Sequence, residues 1–178
     1  VLDFGGSLGS SYFQNKSFLD ALVEVRWHIV EQPGYVSVGQ REFQDERLRF
    51  YDTISASVSA TQPDVIVLSG VLQYIEFPYE ILDDLRNSGA EFLIIDRTPF
   101  WNGSSDRLCV QHVPPEIYSA SYPCRIFSWP RFMSILSLYW SVVREFEALD
   151  ALPGPLPLFF RGLLAVRHST PKLQKHQN

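Results

Sequence analysis

The stretch VLDFGGSLGS, Val1 to Ser10, decides the fold. Val1 and Leu2 open as an apolar strand. Gly5, Gly6 and Gly9 then supply a backbone able to come close to another group. Asp3 stands between the two, at the point where a strand of an open α/β sheet turns through a glycine-rich loop into a helix. Ligands bind at such carboxyl ends.

Moving outward, the chain alternates strand and helix. Short β-rich runs fall at Val1–Phe4, Trp27–Val30, Leu48–Ile54, Val65–Leu68 and Phe92–Ile95, with helical or mixed segments between them. That alternation predicts a parallel sheet covered on both faces. The clearest helix runs from Glu76 to Ser88, with Pro78 in its first turn, Phe77, Ile81, Leu82 and Leu85 on one face, and Gly89 as a stop. Another starts at Ser128 as N-cap with Pro130 close behind, setting Trp129, Phe132, Met133, Leu136 and Trp140 on one stripe. By period Val142–Leu149 fits either a continuation of that helix or a strand; it is read as a strand that pairs antiparallel with Leu158–Arg167 across the proline-rich turn LPGPLP.

At 178 residues and 46% apolar content the chain is the size of one domain with a substantial core. Residues 1–167 are expected to form that domain and 168–178 a solvated tail. Because Val1 is not an initiator Met and already belongs to a strand, the chain reads as a fragment. A formal charge of -5 disfavours nucleic acid and anionic lipid as partners. No apolar run reaches the ~18 residues of a membrane span. Two cysteines, Cys109 and Cys124, without CxxC spacing, fit a reducing cytoplasm and read as small apolar residues.

One connection is long. Thr98 to Phe127 carries Phe100, Trp101, Tyr118 and Tyr122 among prolines and polar residues, and loops beyond ~12 to 15 residues in a compact domain are usually functional. It is expected to be the substrate-facing element. A packed structural excursion with its own short strand at Leu108–Val113 satisfies the same observations.

In the opening motif the register is D-x-G-x-S-x-G, Asp3 to Gly9, and not the GxGxxG of a dinucleotide site. An acid at the strand end repels a pyrophosphate but suits a ligand with an ammonium or sulfonium cation, which points to S-adenosylmethionine. Glu31, ending the strand in WHIVEQ, can accept both ribose hydroxyls, as acids also do in NAD sites. Asp52 falls where an adenine amino group could be read, or is a solvated turn acid.

The segments VLDFGGSLGSSYFQ, WHIVEQ, VIVLSGVLQYI, FLIIDRTPF, VPPEIYSASYPCRIFS and FRGLLAVR resemble, in that order, a family of bacterial class I S-adenosylmethionine-dependent methyltransferases, over Val1 to about Arg167. The resemblance implies a Rossmann-like α/β fold of three layers, α/β/α, with a seven-stranded sheet of order 3-2-1-4-5-7-6 and strand 7 antiparallel. It also implies a surface-polysaccharide setting and a segment ahead of the first strand. By position, Asp3, Gly5, Gly6, Ser7 and Gly9 match the cofactor loop, Glu31 the ribose acid, Asp52 the adenine reader, and Ser69 and Gly70 the lip of strand 4. Ser7 stands where many of these enzymes have glycine.

Methyl transfer is an in-line displacement on a sulfonium, so the protein mainly aligns the acceptor, and no metal is required. An oxygen acceptor calls for a general base, and His112, Asp96 and Tyr74 are the candidates. His112 is equally a structural hydrogen-bonder, and Asp96 equally the ion-pair partner of its neighbour Arg97. Tyr74, Tyr118 and Tyr122 could bind a sugar or aromatic acceptor, or pack the long loop. Three functions fit: a small-molecule methyltransferase, with an O-methylated sugar or polysaccharide precursor suggested only by the family's neighbourhood; a nucleotide-cofactor oxidoreductase of the NAD type; and a non-catalytic binding module on the same fold.

Overall fold

A computed structural model of the chain describes residues 1–116, 119–150 and 157–168. Five strands run parallel in the spatial order β3-β2-β1-β4-β5: β1 (Leu2–Phe4), β2 (Trp27–Val30), β3 (Leu48–Tyr51), β4 (Val65–Ser69) and β5 (Phe92–Trp101). After β5 come β6 (Arg107–Val113), β7 (Ala120–Ser128), β8 (Trp140–Glu147) and β9 (Phe159–Arg167). β9 lies antiparallel beside β5, and β8 antiparallel beside β9. The turn LPGPLP expected between these two falls outside the described residues except for Pro157. So does the expected tail beyond His168, whose N–H donates to Tyr139 O at 2.9 Å.

The described sheet has nine strands rather than seven because Thr98–Phe127 is not a loop. β5 continues through Pro99 to Trp101, and β6 and β7 pair as an antiparallel hairpin from Arg107↔Ile126 to Val113↔Ala120. The short strand expected at Leu108–Val113 is present as β6. Its period of two is plain in the burial: Cys109, Gln111 and Val113 are half-buried, while Leu108, Val110 and His112 are exposed. Pro123 interrupts the pattern of β7, and Pro99 that of β5, which hides both strands in the sequence. The hairpin joins the sheet where Phe100 and Trp101 pair in parallel with Phe127 and Ser128.

The helices are α1 (Ser10–Gln14), α2 (Lys16–Leu19), α3 (Pro33–Glu42), α4 (Ile54–Ala60), α5 (Pro78–Arg86) and α6 (Trp129–Leu136). β3 ends before Ile54 because Thr53 caps α4, its Oγ1 accepting from Ala56 N–H at 3.1 Å. α5 is shorter than predicted. Pro78 opens it, Leu85 is buried, and Phe77 stays exposed at its cap. Ser128 caps α6 as expected, accepting from Arg131 N–H at 3.3 Å and donating to Gly103 O at 2.6 Å. Trp140 is buried as expected but belongs to β8, since α6 stops at Leu136.

Alternation along β2 feeds two clusters of buried side chains. Trp27 and Ile29 pack with Tyr12, Leu48 and Phe50, whereas Val30 joins Leu2, Ile66 and Leu68. The second cluster holds an aromatic group around Phe100, with Trp129 at 5.0 Å and Phe132 at 5.2 Å between ring centres, both edge-on. It locks α6 and the hairpin against β5 and so fixes what surrounds the carboxyl edge of β4 and β5.

Candidate functional site

The first loop leaves β1 with Gly5 at φ +75°. There a Cβ would run into the Val71 side chain, so only glycine fits both the dihedral and the space. A Cβ on Gly6 would lie 2.6 Å from the Asp3 carboxylate. Gly5 N–H donates to Val30 O at 2.9 Å, and Gly9 precedes α1 as its N-cap. Ser7 takes the left-handed region at φ +53°, strained for a residue with a side chain, and its N–H donates to Glu31 Oε1 at 3.2 Å. Glu31 Oε2 accepts the N–H of Gln32 at 2.8 Å. The ends of β1 and β2 are thereby tied through the carboxylate expected to face a ribose.

Asp3 is 1% exposed, with Oδ2 accepting from Trp27 Nε1–H at 3.1 Å. Burial pushes its carboxyl up to about 6; the Trp27 bond works against that rise, and the nearby charge of Glu31 adds to it. Asp3, Gly5, Gly6 and Ser7 line a cavity of about 550 Å³ whose other walls include Ser69 and Asp96. Gln14 and Asn15 border it on the side of α1. Residues brought by three different strands therefore meet in one place.

Asp96 and Arg97 sit where β5 shifts register against β9, between Ile95 and Thr98. Arg97 is left-handed at φ +55°. Its N–H donates to Asp96 Oδ1 at 2.8 Å, and burial raises the Asp96 carboxyl above its ordinary value. The guanidinium grips both oxygens of Asp150, at 2.8 and 3.1 Å. Arg97, Asp150 and Ser69 form a wall shared with a second cavity of about 250 Å³, which Gly70, Gln73, Tyr74 and Gln111 also line.

The remaining expected residues are dispersed. Asp52 lines a different cavity, against Pro33, Gln40 and Tyr51 beside α3, and not the cavity of Asp3. His112 pairs with Ser121 on the exposed face of β6, opposite Gln111, and lines neither of the two adjoining cavities. The pleat is the reason: a strand that points residue 111 inward points residue 112 outward. Tyr74 O–H donates to Gln111 Oε1 at 3.0 Å and meets Tyr122 edge-on at 5.3 Å. Tyr118 lies outside the described residues. Cys109 and Cys124 face each other across the hairpin as free thiols, and burial raises that of Cys124 to about 12.

No protein-family model matches the chain, and no curated protein does. Solved structures match well. The N-terminal domain of EvdMO1 with S-adenosylhomocysteine bound superposes on 95% of this chain and 74% of its own length, with a TM-score of 0.60 and 12% identity. The magnesium protoporphyrin IX methyltransferase ChlM of Synechocystis, with bound S-adenosylmethionine, covers 94% and 69% at 0.59 and 14% identity. The N-methyltransferase NodS of Bradyrhizobium japonicum, in complex with S-adenosylhomocysteine, covers 95% and 77% at 0.56 and 16% identity. The fold is that of the S-adenosylmethionine-dependent methyltransferases.

On this methyltransferase fold, sequence reasoning overlooked Gln73, Gln111 and Asp150. Gln73 follows directly on an apolar strand and turn, and nothing in its neighbourhood distinguishes it. Gln111 carried a signal in the alternation of β6. Asp150 had none, because it meets Arg97 from 53 residues away. No helix among the described residues is long and apolar enough to cross a membrane.

Proposed function

We propose that this chain is an S-adenosylmethionine-dependent methyltransferase acting on the hydroxyl of a small molecule, with residues 1–167 as the enzyme domain. One observation carries the proposal: the buried carboxyl of Asp3 opens at the carboxyl end of β1 onto a cavity of about 550 Å³, beside glycines that leave no room for side chains. A carboxylate there attracts an ammonium and repels a pyrophosphate, which favours the amino-acid end of this cofactor over a nicotinamide dinucleotide. In the proposed arrangement Gly5, Gly6, Ser7 and Gly9 shape the loop around that end, Glu31 accepts the ribose hydroxyls, and Ser69 and Gly70 form the opposite lip. The spatial order β3-β2-β1-β4-β5-β9-β8 supports a three-layer class I sheet whose last two strands are β9 and β8, with the β6–β7 hairpin as an insertion.

When bound, the cofactor supplies a methyl group made electrophilic by its sulfonium. The chain's own task is alignment, together with removal of the acceptor's proton. We assign that proton to Asp96, which lines the cofactor cavity and whose raised carboxyl suits a base working closer to neutrality. His112 points away from it.

Calorimetry with S-adenosylhomocysteine tests the reading. Saturable binding is expected, and Glu31→Ala should weaken S-adenosylhomocysteine and methylthioadenosine alike by about 1.5 to 3 kcal/mol, the range for hydrogen bonds to a charged group. Saturation by NADH in a fluorescence titration, with no heat from S-adenosylhomocysteine, would overturn it in favour of an oxidoreductase.

A further inference from the structure

Gln73 has one half of its amide unmatched. Its Nε2 donates to Arg97 O at 3.2 Å, and since a carbonyl only accepts, that bond fixes which way the amide is turned. Oε1 is then an acceptor, buried and without a hydrogen-bond partner among the described residues, on a side chain only 6% exposed. Such an atom calls for a donor, and the described residues supply none.

Gln73 lines the cavity of about 250 Å³ and not the larger one, whereas Asp96 lines the larger and not the smaller. A volume below the usual range for drug-sized ligands leaves room for one ring and its substituents. Pro99 and Phe160 give it apolar walls. Arg97 is the one cation among its described lining residues, and its Nε and Nη2 hydrogens already hold both oxygens of Asp150, so an anionic guest meets a charge that is already paired.

From this we infer that the smaller cavity holds the methyl acceptor, a neutral single-ring polyol or polyphenol. One hydroxyl donates to Gln73 Oε1 while a neighbouring hydroxyl reaches across the shared wall toward Asp96. The inference rests on the methyltransferase reading, and it makes Gln73 the residue that selects and orients the ring.

The test uses the whole chain and saturation-transfer NMR with catechol and methyl β-D-glucopyranoside, each with and without S-adenosylhomocysteine. Binding of catechol marks a phenolic acceptor and binding of the glucoside a sugar; either supports the inference. On the unmutated chain, 1,2-dimethoxybenzene, which has the ring of catechol but no donor, should bind at least about tenfold more weakly, and benzoate likewise. Gln73→Met keeps the length of the side chain, removes the acceptor, and should lower affinity for the bound probe by the same factor while S-adenosylhomocysteine affinity stays within about twofold. The inference is overturned if neither probe binds, if dimethoxybenzene or benzoate binds as well as catechol, or if Gln73→Met binds the probe unchanged. Gln73-dependent probe binding without any binding of S-adenosylhomocysteine would support the ligand class and overturn the cofactor assignment instead.

Discussion

Replacing Asp3 by Asn should make the protein more stable and bind cofactor less well, and the two effects can be measured separately. A carboxyl that stands at about 6 in the folded chain and at 3.8 in an ordinary setting holds its proton more tightly when folded. Native stability therefore falls as pH rises through that window, and the whole deficit is present above about 6. At 1.36 kcal/mol per pH unit the deficit is on the order of 3 kcal/mol. Asn is nearly isosteric, can still accept from Trp27 Nε1–H, and has no charge to bury. Asp3→Asn is thus expected to gain on the order of 3 kcal/mol at pH 8, or roughly 6 to 12 °C in Tm for a domain this size, and nothing below about pH 4. Melts followed by circular dichroism at several pH values read this directly. The same variant should lose affinity for S-adenosylhomocysteine, which carries the ammonium, more than for methylthioadenosine, which lacks it. A stability difference that is the same at pH 4 and pH 8 would refute the reasoning, because burial of a charge is the only part of it that titrates.

Two further outcomes follow from the geometry. Gly5→Ala sets a Cβ against Val71 at a positive φ, so denaturant melts should show a loss of at least about 1 kcal/mol, with weaker S-adenosylhomocysteine binding in whatever remains folded. Ser128→Ala removes both the cap on α6 and a donor to the half-buried Gly103 carbonyl, and equilibrium unfolding should register about 1 to 3 kcal/mol.

Much of this protein was legible in local sequence. The apolar runs at Trp27–Val30 and Val65–Leu68, the cap at Ser128, and the glycines after Asp3 are set by side-chain period, capping chemistry and allowed dihedrals, all of which act within a few residues. Those local rules located β1 to β4, the first half of β5, β9 and the loop that carries the cofactor proposal, and left the segment of β8 open between helix and strand. Tertiary structure alone decided which polar side chains meet. Asp150 reaches Arg97 because β8 and β9 fold back beside β5, and Gln73 meets the carbonyl of Arg97, 24 residues on, where β5 shifts register against β9. Asp3, in β1, and Asp52, just after β3, stand on either side of β2 and line separate cavities. His112 and Gln111 are adjacent in sequence and opposite in space, because the pairing of β6 with β7 sets which face each residue takes, and a shift of one residue would exchange them.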